Sequence, residues 1–213
     1  MSTWLCLDTC SSQKAIAIAS DDDQIHHVFA EAHVAIDSLL AQVDSMLASL
    51  DITRTDIAHL ACVCGPGSYT GVRTSAACLN AWVTVNPRPV FNVNALWLDA
   101  VHANVKRGVV IHHGFGTHFY LATLDWKEGK LCLKNMMRCE KHEIEKHIVE
   151  GEIIYRGNLA MFPDNISIST QMQGSPIHVL AACVGEMIAD NILPDQEALP
   201  VYLSDASFWD RSS

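Results

Sequence analysis

The run Gly65-Pro-Gly-Ser-Tyr-Thr-Gly-Val-Arg73 constrains this chain more than any other stretch. It joins an apolar segment, Leu60-Ala-Cys-Val-Cys64, to a second apolar segment of helical spacing, and so reads as a strand, a tight elbow and a helix. Gly65 and Gly67 admit backbone angles closed to other residues, Pro66 stiffens the turn, and Ser68 or Thr70 can cap the helix. Such an elbow directs several N–H groups at one point, which suits a phosphate, a carboxylate or a partner's polar groups; a bare βα turn has the same spacing.

A second motif precedes it. Trp4-Leu-Cys-Leu-Asp8-Thr9-Cys-Ser-Ser12 and Lys14-Ala-Ile-Ala-Ile-Ala19 are two short strands around a polar turn, with Asp8 at the end of the first and Thr9, Ser11 and Ser12 where the chain reverses. Ile25–Ala30 makes a third strand, after an acidic turn at Asp21-Asp-Asp23. Ile36, Leu39, Leu40, Val43, Met46, Leu47 and Leu50 then follow a helical period, predicting a helix over 32–50. Helix 70–85, strand Val90–Val93 and a helix over 94–106 complete a βββαβαβα order. Beyond Val109 the pattern thins to a hairpin (Phe119–Leu124 and Lys130–Met137 around Lys127-Glu-Gly129), a short helix near 141–148, strand Glu152–Tyr155 and a helix over 176–191.

Together the two motifs, with Glu31-Ala-His33 and Leu199-Pro-Val-Tyr-Leu203, resemble the bacterial TsaB (YeaZ) family, accessory proteins of tRNA threonylcarbamoyladenosine synthesis related to the glycoprotease/Kae1-type superfamily. The resemblance covers the first hundred residues well and the rest loosely. It implies an α/β chain of actin/Hsp70/sugar-kinase-like (ribonuclease H-like) fold, with a complete N-terminal lobe over 1–108 that carries an association surface and a reduced C-terminal lobe over 109–213. It implies a noncatalytic scaffold that docks onto the catalytic threonylcarbamoyltransferase subunit (TsaD type). With an ATPase subunit (TsaE type), that complex modifies N6 of adenosine 37 in tRNAs reading ANN codons. Asp8, Thr9, Ser11, Gly65, Gly67 and Ser68 would then form a weak or vestigial phosphate cradle, and ATP or ADP would sit, if anywhere, at a complex interface. His33, Ile36, Leu40, Val72, Arg73, Ala76, Ala77 and Asn80 are the residues nominated for pairing, with the catalytic subunit or as a homodimer when alone. The chain departs from the family where Asp-Ala-Arg is usual and His113-Gly-Phe115 stands, at His118 in place of an acidic residue, and at Ser204 in place of an arginine.

Composition bounds the alternatives. With 49% hydrophobic residues in 213, the chain can bury two linked cores. The N-terminus lacks a basic region and reaches Asp8 early, and no long apolar run occurs, so a cytoplasmic protein away from membranes is expected. Eight cysteines without Cys-x-x-Cys spacing, several within apolar runs, read as buried reduced thiols. Eleven histidines include no i,i+4 pair, so no metal is expected; His112, His113 and His118 are the one cluster. Fourteen basic against 24 acidic residues give a net charge of −10, which repels tRNA, so RNA contact is expected mainly through partners. Six of the basic residues fall between Lys127 and Lys146, diluted by Glu128, Glu140, Glu143 and Glu145. Arg73 stands at the helix end that favours anions and is expected to hold a fixed carboxylate or carbonyl partner, within the chain or across an interface. Three rival readings remain: a small ATP-dependent phosphotransferase of the same superfamily, with Asp8 in one of the acidic roles; a metallopeptidase, as the superfamily's older naming suggests, for which the sequence offers no ligand set; and a self-associating regulatory homodimer.

Overall fold

A computed structural model describes residues 2–22, 25–30 and 36–200, with the side chains of 25–30 and of Ile36 and Asp37 left out of account. Packing divides the chain into two units. Of the described residues, the first comprises those up to Cys64, Tyr69–Val93 and Gly174–Pro200; the second comprises Gly65–Ser68 and Asn94–Gln173. The boundary expected at 108 therefore differs from the division by packing, which gives 94–107 to the second unit and returns 174–200 to the first.

The first unit is built on β1 (Thr3–Asp8), β2 (Lys14–Ser20), β3 (Ile25–Ala30), β4 (Ile57–Gly65) and β5 (Val90–Asn94), in the order β3-β2-β1-β4-β5. β1 pairs antiparallel with β2, from Thr3↔Ser20 to Asp8↔Ala15, and parallel with β4. Alternation sends Leu5 and Leu7 into a core with Leu39, Val43, Met46 and Leu47 of α1 (Ile36–Ser49) and Leu79 and Trp82 of α2 (Tyr69–Val85). On the other face Trp4 donates its indole N–H to the Ala181 carbonyl (2.9 Å) of α4 (Ile177–Ala189), and glycine at 185 eases the close approach of that helix, since a Cβ there would stand 3.0 Å from the Trp4 ring. A sheet covered on both faces needs apolar residues at successive positions, which is why β1, β2 and β4 read as nearly continuous apolar runs.

The second unit repeats the topology. Its strands β6 (Gly108–His113), β7 (His118–Lys127), β8 (Lys130–Glu140), β9 (Glu152–Arg156) and β10 (Thr170–Met172) lie in the order β10-β9-β6-β7-β8. β6, β7 and β8 form an antiparallel meander, and β9 joins β6 in parallel. Five strands in the same relative order reveal the duplication that the sequence hides. The reduction expected of this half lies in its connections: 3₁₀ turns at Lys141–His147 and Leu159–Met161 stand where the first unit has α1 and α2. α3 (Ala95–His102), capped by the Asn94 side chain, packs Leu96 and Ala100 against Val110, Ala122 and Ile154 on one sheet face. Val109, Ile111, Phe119, Tyr155 and Phe162 form the core on the other. β6 and β10 were missed because the first is a short apolar run after a glycine and the second has three residues. Among the described residues no helix is long and apolar enough to cross a membrane.

Candidate functional site

Asp8 closes β1 and is fully buried with Thr9. One carboxylate oxygen accepts the N–H groups of Cys10 and Ser11 (both 3.1 Å), an Asx turn that folds the chain back toward β2. The other accepts the hydroxyl of Ser175 (2.5 Å), just before α4. The Thr9 hydroxyl donates to the Gly71 carbonyl (2.5 Å), and its lone pairs face the Ser75 hydroxyl at the same distance. Glycine is required at 71, since a Cβ there would stand 1.8 Å from the Thr9 carbonyl oxygen. The hairpin is thus clamped onto α2 and tied to α4, and the amides that could face a phosphate are directed at Asp8. Ser75, in the second turn of α2, and Ser175, just before α4, complete this network, and neither belongs to a motif in the sequence.

The elbow takes a positive φ at Gly65 and not at Gly67. Gly65 has φ of 109°, the Gly65–Pro66 bond is cis, Pro66 is buried, and Ser68 is exposed immediately before α2. Gly65, Gly67 and Ser68 pack with the second unit, whereas Asp8, Thr9 and Ser11 belong to the first. Thr70 lies inside the helix rather than at its cap, and its carbonyl accepts the Thr74 hydroxyl.

α2 has two faces. Gly71, Val72, Thr74, Ser75, Ala76, Cys78, Leu79 and Trp82 are buried. Tyr69 (61% exposed), Arg73, Ala77, Ala81 and Val85 (86%) recur every fourth residue along the outside. α1 likewise turns Ser38, Ala41, Ser45 and Ala48 outward. Of the nominated pairing residues, Arg73 and Ala77 face outward, Leu40 is half-buried, and Val72 and Ala76 point into the unit's own core. Asn80 is half-buried, its amide exchanging hydrogen bonds with the Ala198 backbone (2.7 and 3.0 Å). His33 lies outside the described residues, as does the side chain of Ile36. Arg73 departs from expectation: its guanidinium donates to the Tyr69 hydroxyl (2.8 Å) and lies over that ring, 5.3 Å from the centroid. A neighbour one turn back supplies both hydroxyl and π face, so no carboxylate is needed.

The second unit holds a buried charge cluster that the sequence did not reveal. Asp99 of α3 accepts two N–H groups from Arg156 (2.5 and 2.6 Å) and faces His112 Nε2 at 2.8 Å. Burial alone would raise the Asp99 pKa; hydrogen bonds and charges from Arg156 and His112 prevail and hold it at about 2. The one signal was a carboxylate on an otherwise apolar helix face, among Leu96, Leu98 and Ala100. The histidines do not converge. His113 closes β6 as Asp8 closes β1, but bonds the Gly116 carbonyl, and His118 pairs with Glu140 (2.6 Å). Among the described residues no group of three or more His, Cys, Asp or Glu could hold a metal ion. The eight cysteines are free thiols, and burial raises the pKa of Cys64 to about 12 and of Cys78, Cys139 and Cys183 to about 11, leaving those four unreactive. An open groove of about 530 Å³ lies between Thr117, Glu140–His142 and Pro163–Asn165, with both signs of charge on its walls.

A family model described as tRNA N6-adenosine threonylcarbamoyltransferase (TsaD) matches residues 27–128, just under half of the chain. No curated protein matches. Among solved structures, YeaZ from Pseudomonas aeruginosa matches with a TM-score of 0.77 at 21% identity, covering 95% of this chain and 100% of that one. A structure described as a protein similar to the peptidase YeaZ, also from P. aeruginosa, matches with the same TM-score and coverage at 20% identity. The ethanolamine utilization protein EutJ from Carboxydothermus hydrogenoformans matches at 0.53 and 11% identity, over 86% of this chain and 89% of that one. The structural likenesses establish the fold, shared with YeaZ, and over residues 27–128 the chain is similar to the TsaD family.

Proposed function

We propose that this protein is a noncatalytic scaffold subunit in the synthesis of N6-threonylcarbamoyladenosine at position 37 of tRNA, docking through the outer faces of α1 and α2 onto a TsaD-type catalytic subunit. The observation that carries the reading is the α2 stripe: Tyr69 and Val85 expose large apolar surface at its ends, and Ala77 and Ala81 between them allow a partner helix to approach closely. The closed network around Asp8 supports a noncatalytic role. A phosphotransferase would offer that carboxylate to a Mg²⁺-bound nucleotide, and here both oxygens are engaged by the chain's own donors. The second unit places His113 at the matching strand end. Tyr69 and Arg73, locked together, are the anchors of the docking face; aromatic and arginine side chains concentrate interface energy.

Size-exclusion chromatography with light scattering, on the protein alone and mixed with the TsaD-type subunit of the same cell, tests the proposal. A heterocomplex formed at the expense of any homodimer is the expected result. A chain that ignores the catalytic subunit with ATP, tRNA and the ATPase subunit all present sinks it, and ATP turnover lost on Asp8→Ala would establish the phosphotransferase instead.

A further inference from the structure

After α4 the chain returns along the edge strand of the first sheet. Asp195 and Val90 of β5 exchange backbone hydrogen bonds (2.8 and 3.0 Å). The Asn92 amide donates to the Asp195 carboxylate (2.7 Å) and the Glu197 carbonyl (3.0 Å) and accepts the Leu199 N–H (3.0 Å), while the Asn80 amide of α2 holds both backbone groups of Ala198. Two asparagine side chains thus fasten a strap, residues 195–199, that fully buries only Ala198. Protection of the edge strand accounts for the bridge to Val90 and for Asn92. It does not account for Asn80, which reaches the strap from a helix. Asn80 follows Ala77 by three residues and precedes Thr84 by four, both exposed, so the strap it holds borders the outer stripe of α2. With its amide spent inside the chain, Asn80 can serve pairing only through the strap. Asp195 and Glu197 are exposed, and among the described residues neither forms a salt bridge. The border is therefore acidic, beside a stripe whose one charge is Arg73.

We propose that the strap is the rim of the docking face, that the partner helix lying along Ala77 and Ala81 presents a basic side chain to Glu197, and that Asn80 is the positioning residue holding this rim against α2. The inference rests on the docking reading above and adds to it the partner's chemistry at one border, a lysine or arginine toward the strap. A rim charge of this kind steers and orients association more than it tightens the complex, and salt screens its effect. Asn80 acts on the same step at one remove, since its amide fixes the Ala198 backbone next to Glu197.

The test is the association rate of the full-length protein with the immobilised TsaD-type subunit of the same cell, by surface plasmon resonance. It is read at ionic strengths of about 0.01 and about 0.15 M, between which the Debye length falls from about 30 to about 8 Å. Glu197→Lys, a change of an exposed side chain, is expected to slow association about tenfold at the lower ionic strength and less than about twofold at the higher, with the circular-dichroism spectrum and melting temperature of the wild type. Asn80→Ala should give the same salt-dependent loss in weaker form, about threefold; a merely structural role would give a loss that salt does not change. In the Asn80→Ala background Glu197→Lys should add less than it does alone, because a rim no longer held cannot place its charge. A wild-type rate for Glu197→Lys at the lower ionic strength overturns the proposal, and effects of the two substitutions that multiply independently overturn the role of Asn80. Should Ala77→Arg weaken the complex while Glu197→Lys and Asn80→Ala both bind as the wild type does, the strap lies outside the interface: this inference falls and the docking reading stands. A wild type that does not bind the catalytic subunit sinks both.

Discussion

Asp99, His112 and Arg156 show what one buried carboxylate does when its partners are fixed. The guanidinium grips both oxygens and the imidazole shares one of them, so removing the negative charge leaves a buried cation facing a group that no longer neutralises it. Asp99→Asn is expected to lower stability by about 3 kcal/mol, read from the shift of the urea midpoint at unchanged slope. The same cluster fixes an acid limit. Because the folded pKa of Asp99 lies below its unfolded value, its contribution is complete above about pH 4 and is lost as pH falls through about 2. Stability followed from pH 5 to pH 2 should therefore fall by about 2 kcal/mol less in Asp99→Asn than in the wild type. Gly71 is a different kind of constraint, with no charge involved: a methyl group there meets the Thr9 carbonyl, so Gly71→Ala should force α2 away from the hairpin and lower the melting temperature, with no effect at the exposed Ala77 of the same helix.

At the scale of the element, α2 carries both stories, its inner face setting the fold and its outer face the proposed association. Its inner positions were legible because a run of small and apolar residues between a glycine elbow and Val85 can only be a helix packed closely on a sheet. Which of the small residues faced outward was not, since Ala76 and Ala77 are chemically alike and a helix of alanines, serines and cysteines has little moment to orient it. Packing decides: Ala76 joins the core with Leu79 and Trp82, and Ala77 falls on the Tyr69–Val85 stripe. Ala77→Arg is accordingly expected to leave the circular-dichroism spectrum and melting temperature of the protein unchanged while weakening association with the catalytic subunit by at least tenfold, a loss of about 1.4 kcal/mol or more. Ala76→Arg, one position away, should unfold the first unit by placing a charge in its core. Equal behaviour of the two variants would show that the helix face is wrongly assigned.

The molecule as a whole is one topology used twice, and the two copies were unequally legible. In the first unit a meander of apolar strands is followed by β4 and β5 alternating with the long helices α1 and α2, and nothing competes with that reading. In the second, the crossovers shrink to 3₁₀ turns, Thr170–Met172 is too short to show a period, and Asp99 and Arg156 meet across 57 positions of sequence. The duplication also exchanges helices between segments: α3 follows β5 in the chain but packs on the second sheet, and α4 follows β10 but packs on the first. Residues 94–173 therefore contain all five strands, α3, and both cores of the second unit in one continuous segment, whereas the first unit is incomplete without Gly174–Pro200. A polypeptide of residues 94–173 is expected to fold, with a sheet-type far-UV spectrum and a cooperative urea transition that Asp99→Asn shifts downward. Residues 1–173 should aggregate, because removing α4 uncovers the Trp4 and Cys6 face of the first sheet and leaves Asp8 without the Ser175 hydroxyl. Were 94–173 to unfold without cooperativity, the cores assigned to the second unit would be insufficient to fold it, and the stability of the 3₁₀ connections would have to come from elsewhere in the chain.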